Sequence, residues 1–351
     1  MYTLGIDLHK KSSLWILIDE QRTELLKENV LVHPRDINIA LEKIHVPLDN
    51  IQVAIEPVAG FRWVSQLLED AGMNVHIAHP RKVELIAKST KKNDTEDART
   101  LANLLQSGFF PEAHKSSEEI YKLRLLLRER TFIVRLRTSV KNQLHGIATT
   151  QGLHNIKSGN PLHKIGKRDI MKSDNFVLRE LHHLNDSLET RIIPFDEKLK
   201  EELNNHPTAS LLMTIPGVGL ITALTIISEI DDFNRFPTPE KLTRYAGLVP
   251  RERSSGGIIK HGSITRQGPA PLRTALVESA MRIREDNAPE LYAFVKRLTP
   301  ITGAKKARVA LARKLLVIMW KMVTTNTTYN PKILSFSNTM KVSDLEARTD
   351  A

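Results

Sequence analysis

The stretch from residue 118 to about residue 146 constrains the fold most, because it contains no glycine or proline before Gly146. Its apolar positions are interleaved with arginines, a pattern that predicts one long basic helix. A second helical pattern, interrupted by Pro194, covers residues 176–206 after a polar stretch rich in Lys, Gly, Asn and His. Together they predict a helical hairpin or coiled-coil arm of the kind that mediates dimerisation or clamps nucleic acid, with a solvated helical spacer as the alternative.

The sequences on the two sides of this arm differ in character. Residues 1–112 alternate strand and helix patterns: the run YTLGIDL and the following SSLWILIDE predict a β-hairpin, and a helix begins near Asp94. Residues 207–333 read as a mainly helical unit. The fold class is therefore α/β plus all-α: an α/β domain, an arm over residues 113–206, a helical domain and a disordered tail over residues 334–351.

Composition favours a nucleic-acid partner. The 351 residues exceed one ordinary domain, and 51 Lys plus Arg against 40 Asp plus Glu leave a net charge of +11. A basic protein that binds no nucleic acid is the alternative. The absence of cysteine excludes disulfides, thiol catalysis and cysteine-type zinc sites, and it suits a reducing cytoplasm.

Hydropathy predicts no membrane partner. No segment reaches the ~18 apolar residues that a bilayer span requires, and MYTLGIDLHKK lacks the apolar stretch of a signal peptide. We therefore expect a cytoplasmic protein, associated with the nucleoid when it binds DNA.

Four carboxylates stand where chemistry could use them. Asp7 lies within an apolar strand, where an unpaired charge is costly to bury, and Glu56 ends a later strand just before Pro57. Asp94 and Asp97 are three residues apart at a helix start and so share a face. The alternatives are an ion pair for Asp7, a solvent-facing Glu56, and a capping box with Asp94 as the N-cap and Asp97 as its closing residue.

Taken in order, the four carboxylates predict a Mg²⁺ site. Mg²⁺ prefers oxygen ligands, and two ions about 4 Å apart can assist both oxygens of a phosphodiester displacement. The order of the four carboxylates resembles that in the ribonuclease-H-like superfamily: an Asp on the first strand of a hairpin sheet, a Glu after a later strand, and an Asp pair on a following helix. The resemblance is to its Holliday-junction-resolvase-like, or RuvC-like, branch.

The C-terminal unit contains two further candidates. The turn TIPGVG before an apolar helix resembles a helix-hairpin-helix, in which Gly217 and Gly219 would let backbone N–H groups bind a DNA phosphate, although an ordinary helix–helix turn fits too. Ser254 and Ser255 precede two glycines, and either hydroxyl could act as a nucleophile if basic neighbours stabilise the attacked phosphate; an unremarkable loop is the alternative. The neighbouring basic residues are Arg251, Arg253, Lys260, Arg266 and Arg273. We expect the four arginines among them to contact DNA.

The motifs together resemble a known family over nearly the whole chain. They are GIDLHK, AIEPVAG, KKNDTEDAR, IPGVG and AGLVPRERSSG, the last continuing to GPAPLRTAL. This set is similar to the DEDD-type transposases of bacterial insertion sequences, also called bridge-RNA-guided recombinases. The resemblance implies a resolvase-like N-terminal domain, a coiled-coil linker and a C-terminal transposase domain. Its catalytic serine precedes a glycine, which favours Ser255, followed by Gly256, over Ser254. The more usual Gly-Asn is absent from GPAPLR, which leaves the role of that turn open.

The resemblance also implies a mechanism and partners. Asp7, Glu56, Asp94 and Asp97 would hold Mg²⁺, while Ser255 would attack the scissile phosphate and form a transient covalent link to DNA. The centre would be completed between subunits of a dimer or tetramer, and a non-coding guide RNA would pair with donor and target DNA. Charge alone suggests RNA contacts on the arm, at Arg128, Arg135, Arg137 and Lys141.

Two other functions fit parts of the sequence. A metal-only structure-specific nuclease, such as a junction resolvase, would use the carboxylates and leave Ser255 a merely structural role. A non-catalytic nucleic-acid-binding protein would use the carboxylates as caps and ion-pair partners. Neither accounts for the C-terminal motifs, so the recombinase is the preferred interpretation.

Overall fold

The computed structural model describes residues 1–86, 93–152, 170, 174–255 and 258–331. It divides into two compact units, Met1–Lys115 and Ser116–Ala351. The predicted disordered tail lies outside the described residues, as does most of the polar stretch between the two long helices.

The first unit is built on a five-stranded mixed sheet in the order β3-β2-β1-β4-β5. The β1–β2 and β2–β3 pairs are antiparallel, whereas β4 lies parallel to β1 and β5 parallel to β4. The predicted opening hairpin is thus confirmed. The strands are β1 (Tyr2–Leu8), β2 (Ser12–Ile18), β3 (Glu24–Leu31), β4 (Ile51–Ile55) and β5 (Asn74–Ile77).

Helices cover both faces of this sheet. Since successive side chains on a strand point to opposite faces, Leu4 and Ile6 pack with α1 and α2 on one face. Ile16 and Ile18 of β2 pack on the other face, against Ala98 and Ala102 of α4. The helices are α1 (Pro34–Glu42), α2 (Phe61–Asp70), α3 (Pro80–Ile86) and α4 (Asp94–Gln106), with a 3₁₀ turn at Leu48–Asn50. The helical patterns DINIALEKI and FRWVSQLLEDAG predict α1 and α2, and the predicted helix near Asp94 is α4, whereas no pattern predicted α3.

The second unit begins with two long helices, α5 (Glu118–Thr150) and α6 (Phe176–Asn205). They run antiparallel, because Arg130 of α5 pairs with Asp196 and the later Arg137 pairs with the earlier Glu189. The predicted interruption at Pro194 is wrong, since α6 continues through it. Proline leaves the carbonyl four residues earlier without a donor, and both Pro194 and Thr190 are exposed, so water can satisfy that group.

In the described part of the second unit, six shorter helices that follow α6 surround one core. The central helix α8 has seven apolar residues among eleven and eight of its residues buried, and Leu123 and Leu127 of α5 join the same core. The predicted mainly helical unit is confirmed. These helices are α7 (Pro207–Met213), α8 (Leu220–Ile230), α9 (Pro239–Tyr245), α10 (Ala270–Arg282), α11 (Pro289–Thr302) and α12 (Ala304–Thr325).

A β-hairpin that the sequence patterns did not predict stands between α9 and α10. Its strands are β6 (Pro250–Ser255) and β7 (Ile258–Ile264), paired antiparallel with an irregularity near Pro250. Elsewhere, no helix in the described part of the chain combines the length and hydrophobicity needed to cross a bilayer.

Candidate metal centre and serine hairpin

Asp7 lies on the central strand of the first sheet and is 9% exposed. The parallel pairing of β1 with β4 ends at Ile6 and Ile55, so Asp7 and Glu56 are the next residue on each strand. A carboxylate this deeply buried requires compensating polar partners or a cation. The end of β1 therefore places Asp7 beside the residue that follows β4, Glu56.

Gly5 lets α4 approach β1 closely. A Cβ on Gly5 would overlap the carbonyl oxygen of Ala98 and lie 2.9 Å from the amide nitrogen of Ala102. No other residue type fits there without displacing the helix. Since Asp94 is the first residue of α4, one turn before Ala98, this packing carries Asp94 toward the end of β1.

The start of α4 is capped by Asn93 and not by Asp94. The Asn93 side-chain oxygen accepts a hydrogen bond from the Thr95 amide at 2.8 Å, as an N-cap does. The alternative in which Asp94 serves as the N-cap is therefore wrong. Its carboxylate remains available at the helix start, where its side chain is 66% exposed.

The structure brings Asp7, Asp94 and His9 together. His9 Nε2 lies 3.3 Å from an Asp7 carboxylate oxygen and 3.3 Å from an Asp94 carboxylate oxygen. One donor atom from each of the three side chains lies within 4.8 Å of the others. Sequence reasoning missed His9, although its position two residues after Asp7 places both on the same side of an extended chain.

Glu56 and Asp97 are not part of this close group, which is the one such group found among the described residues. Both are partly buried. Asp97 lies on α4 one turn after Asp94, and its backbone amide donates to the Asn93 carbonyl at 3.0 Å. Of the four predicted carboxylates, the structure thus joins Asp7 and Asp94 directly. Glu56 comes directly after β4, and Asp97 lies one turn further along α4.

Two of the three residues, His9 and Asp94, border an open cleft of about 370 Å³. His9 and Asp94 line it together with polar residues of β2, β3 and the α4 cap: Ser12, Ser13, Asn29, Asn93 and Thr95, with Leu14 the apolar exception. Two carboxylates and an imidazole are all ligands for divalent cations in proteins. The donor set at this cleft therefore fits a divalent metal ion.

Ser255 ends β6 at the turn of the hairpin in the second unit. The hairpin register pairs Ser255 with Ile258 and Arg253 with Lys260. The side chains of Ser254, Ser255 and Arg253 lie outside the described part of the structure. The backbone accordingly puts the predicted nucleophile at the tip of a two-stranded ribbon.

The two glycines of the TIPGVG turn have different surroundings. Gly217 has φ +81°, and a Cβ there would lie 2.9 Å from the Ser279 carbonyl oxygen and 3.3 Å from Arg282 Cβ. Gly217 therefore serves the packing of this turn against α10. Gly219 is exposed at the start of α8 with open space around it, a position from which backbone N–H groups can reach a phosphate.

The predicted DNA-contacting arginines also divide into two kinds. Arg251 and Arg266 are exposed. Arg273 instead directs one guanidinium nitrogen at the carbonyl oxygens of Ala246 at 3.3 Å, Gly268 at 2.7 Å and Pro269 at 3.4 Å. Burial, followed by the nearby charge of Arg266, lowers the pKa of Arg273. Arg273 thus ties the C-terminal end of α9 to the two residues that precede α10.

Two arginines of α5 form ion pairs with a buried glutamate of α8, which sequence reasoning missed. Glu229 of α8 is 3% exposed; its carboxylate lies 3.0 Å from Arg128 and 3.9 Å from Arg124 of α5. Arg124 also donates to the Ser228 carbonyl. Of the predicted RNA contacts, Arg128 is therefore engaged within the chain.

The remaining arm candidates differ in exposure. Arg137 lies 3.7 Å from Glu189 of α6. Arg135 is exposed, and Lys141 is partly buried. Arg135 therefore has the most accessible surface of these three for a polyanion.

Two transposase family models match the chain. One, described as a transposase of the IS116/IS110/IS902 family, matches residues 209–296, and a transposase model of the IS110 DEDD type matches residues 4–150. A pilin gene-inverting protein of Moraxella bovis is 30% identical over 268 residues, covering 74% of this chain and 75% of the relative. The chain belongs to this transposase family. It is therefore an enzyme that recombines DNA, and an insertion-sequence transposase.

Other relatives of this transposase extend the match. The transposase of insertion sequence element IS1328 from Yersinia enterocolitica is 27% identical over 336 residues, 93% of this chain and 98% of the relative. The transposase of element IS1111A from Coxiella burnetii is 26% identical over 291 residues, 79% of each chain. The family expectation drawn from the motifs is confirmed.

Proposed function

We propose that this transposase is an RNA-guided recombinase that cuts and exchanges DNA through a serine–DNA intermediate, assisted by Mg²⁺ at Asp7, Glu56, Asp94 and Asp97. The observation that carries the proposal is the convergence of Asp7 and Asp94 within 4.8 Å of a third metal-ligating side chain. That convergence lies inside the segment matched by the DEDD-type model. Glu56, next to Asp7 across the sheet, and Asp97, one turn from Asp94, complete the proposed set.

The topology of the first unit supports a RuvC-like, ribonuclease-H-like fold. Three antiparallel strands are followed by two parallel ones in the order β3-β2-β1-β4-β5. The carboxylates stand at the end of β1, directly after β4 and at the start of α4. This arrangement agrees with the order of the metal ligands that the motifs predicted.

In the proposed reaction, the Ser255 hydroxyl oxygen attacks a DNA phosphorus. A bond from serine oxygen to phosphorus forms, the bond from phosphorus to one deoxyribose oxygen breaks, and that oxygen leaves and takes up a proton. A bound divalent cation supplies Lewis-acid stabilisation of the charge that develops on these oxygens. Attack by the freed deoxyribose oxygen of the exchange partner then releases Ser255 with its proton restored.

The basic arm supports a nucleic-acid role for the second unit. Arg135 is exposed on α5, and Arg251 and Arg266 are exposed near the hairpin. We assign the arm, as a coiled coil, to guide RNA and to assembly into a dimer, or a tetramer when active. The hairpin and the α8 N-terminus are assigned to DNA.

The proposal is tested by trapping the covalent link. Purified protein, Mg²⁺, labelled element-end DNA and RNA transcribed from the non-coding sequence beside the gene are incubated, and adducts that survive denaturation are measured. We expect an adduct with wild type and with Ser254→Ala, none with Ser255→Ala, and none when RNA is omitted. Free cut DNA from both wild type and Ser255→Ala would instead identify a metal-only nuclease.

A further inference from the structure

We propose that His9 is a ligand of the metal ion, so that Nε2 of His9 and one carboxylate oxygen each from Asp7 and Asp94 form a three-donor site. The inference rests on the metal site of the proposed function and adds to it a nitrogen ligand outside the four-carboxylate set. Because imidazole suits transition metals better than alkaline-earth ions, such a site should favour Mn²⁺ over Mg²⁺.

The distances between the donor atoms fit this role. Two ligand atoms in neighbouring positions around one ion lie about 3 Å apart when each metal–ligand bond is about 2.1 Å long. His9 Nε2 is 3.3 Å from one oxygen of Asp7 and 3.3 Å from one oxygen of Asp94. The imidazole nitrogen is therefore spaced from both carboxylates as an adjacent ligand would be.

The backbone holds His9 at the site. The His9 amide donates to the Ser12 carbonyl at 2.9 Å in the turn between β1 and β2. Its side chain is 50% exposed and borders the same cleft as Asp94, whereas Asp7 lies deeper, with its side chain 12% exposed. An ion entering from the cleft would thus meet His9 and Asp94 before it reaches Asp7.

The same distances also suit a different role, in which His9 donates a hydrogen bond to a carboxylate and so competes with a cation for that oxygen. The two roles predict opposite effects of removing the imidazole. A ligand strengthens metal binding, so its loss weakens binding; a competitor weakens metal binding, so its loss leaves binding unchanged or strengthens it.

The test measures binding of Mn²⁺ and Mg²⁺ to the full-length protein by calorimetry, without nucleic acid. We expect His9→Ala to weaken Mn²⁺ binding at least roughly tenfold and to affect Mg²⁺ binding less. His45→Ala is the matched control, because His45 is an exposed histidine of the same unit, and it should leave both affinities unchanged. Since His9 is half exposed, its variant should fold, which far-ultraviolet circular dichroism checks.

A spectroscopic measurement reports the ligand directly. Pulsed electron paramagnetic resonance of bound Mn²⁺ should detect nitrogen-14 coupling in wild type and His45→Ala, and this coupling should be lost in His9→Ala. Unchanged or tighter Mn²⁺ binding by His9→Ala, or absence of nitrogen coupling in wild type, would overturn the inference.

Two carboxylate variants separate this inference from the proposed function. If Asp7→Asn and Asp94→Asn weaken Mn²⁺ binding while His9→Ala does not, the His9 inference fails and the carboxylate site stands. If neither carboxylate variant changes metal binding, the metal site of the proposed function fails together with the inference.

Discussion

Gly5 of β1 and Ala98 of α4 are packed so closely that no Cβ fits between strand and helix. A Cβ on Gly5 would overlap the Ala98 carbonyl oxygen, which is backbone and cannot rotate away. The contact therefore sets the height of α4 above the sheet. Because Asp94 begins the same helix, the contact also sets the distance between Asp94 and Asp7.

Gly5→Ala should consequently damage both stability and metal binding. Forcing a methyl group into a packed layer costs about 1–3 kcal/mol, and the displaced helix carries Asp94 away from Asp7. Urea unfolding and Mn²⁺ calorimetry measure the two effects. The control is Gly146→Ala in α5, where a Cβ meets no atom within 4 Å. Because alanine has the higher helix propensity, this substitution should raise the free energy of unfolding by at most about 1 kcal/mol. A Gly5→Ala protein with normal stability and normal metal binding would contradict this account of α4.

Glu229→Gln should destabilise the second unit. The substitution keeps the size of the side chain but removes its negative charge, which faces Arg128 and Arg124. Because Glu229 is only 3% exposed, losing this charge should lower the free energy of unfolding by about 2 kcal/mol or more. Chemical denaturation checks the free energy of unfolding. Glu189→Gln is the control, because the Arg137–Glu189 pair is longer, at 3.7 Å, and Glu189 is half exposed, so its loss should cost less than about 0.5 kcal/mol. Equal effects of the two substitutions would refute a special role for Glu229.

Arg273→Ala and Arg266→Ala should separate stability from DNA binding. Arg273 donates to carbonyls at the end of α9 and just before α10, so its loss should lower the melting temperature. Arg266 is exposed, so its loss should leave the melting temperature unchanged. It should make the slope of log DNA affinity against log salt concentration less steep by about 1, the amount expected for one lost phosphate contact. Thermal unfolding and DNA titrations over a range of salt concentrations measure both. A normal melting temperature for Arg273→Ala would argue against its structural role.

Lys314 should give the second unit a characteristic dependence on alkaline pH. Burial, and then the charge of Arg297, lowers the pKa of Lys314 from its usual value of 10.5. The folded state therefore binds fewer protons than the unfolded state between the lowered pKa and about 10.5, so the free energy of unfolding rises with pH in that window. Lys314→Met should abolish this rise, which denaturant titrations at successive pH values detect.

Tyr329→Phe provides the opposite sign for comparison. Burial raises the pKa of Tyr329, with a further contribution from Glu290. Its contribution to stability is present below its unfolded pKa of about 10 and is lost as pH rises through the folded pKa. Tyr329→Phe should therefore abolish this loss of stability in the same denaturant titrations.

If the pH profile of Lys314→Met is the same as that of wild type, the account of Lys314 is contradicted, because its charge then costs the folded state nothing.

Local patterns predicted most elements, and the misses have identifiable physical causes. Alternating apolar residues were sufficient to predict β1, and a continuous apolar run was sufficient to predict β2. Helix α3 is seven residues long with Val83 as its one buried residue, too short for a helical period to stand out. The β6–β7 hairpin was missed because RERSS is charged and has no apolar alternation.

The site was predicted in part for a related reason. Asp7 and Asp94 could be proposed from their motifs, but His9 precedes Lys10 and Lys11 and looks like a solvated strand end. Its contact with Asp94 depends on how closely α4 approaches β1, a tertiary distance that no local pattern records. Glu229 was missed similarly, because its arginine partners are about a hundred residues earlier in the chain.

The most direct test of the central claim identifies the residue that carries DNA. The denaturation-resistant adduct is digested with nuclease and then trypsin, which cuts after Arg253 and Lys260 to release SSGGIIK. Fragmentation mass spectrometry distinguishes its two serines. The account predicts a nucleotide on Ser255. A nucleotide on any other residue, or DNA cleavage with no modified peptide, would contradict it.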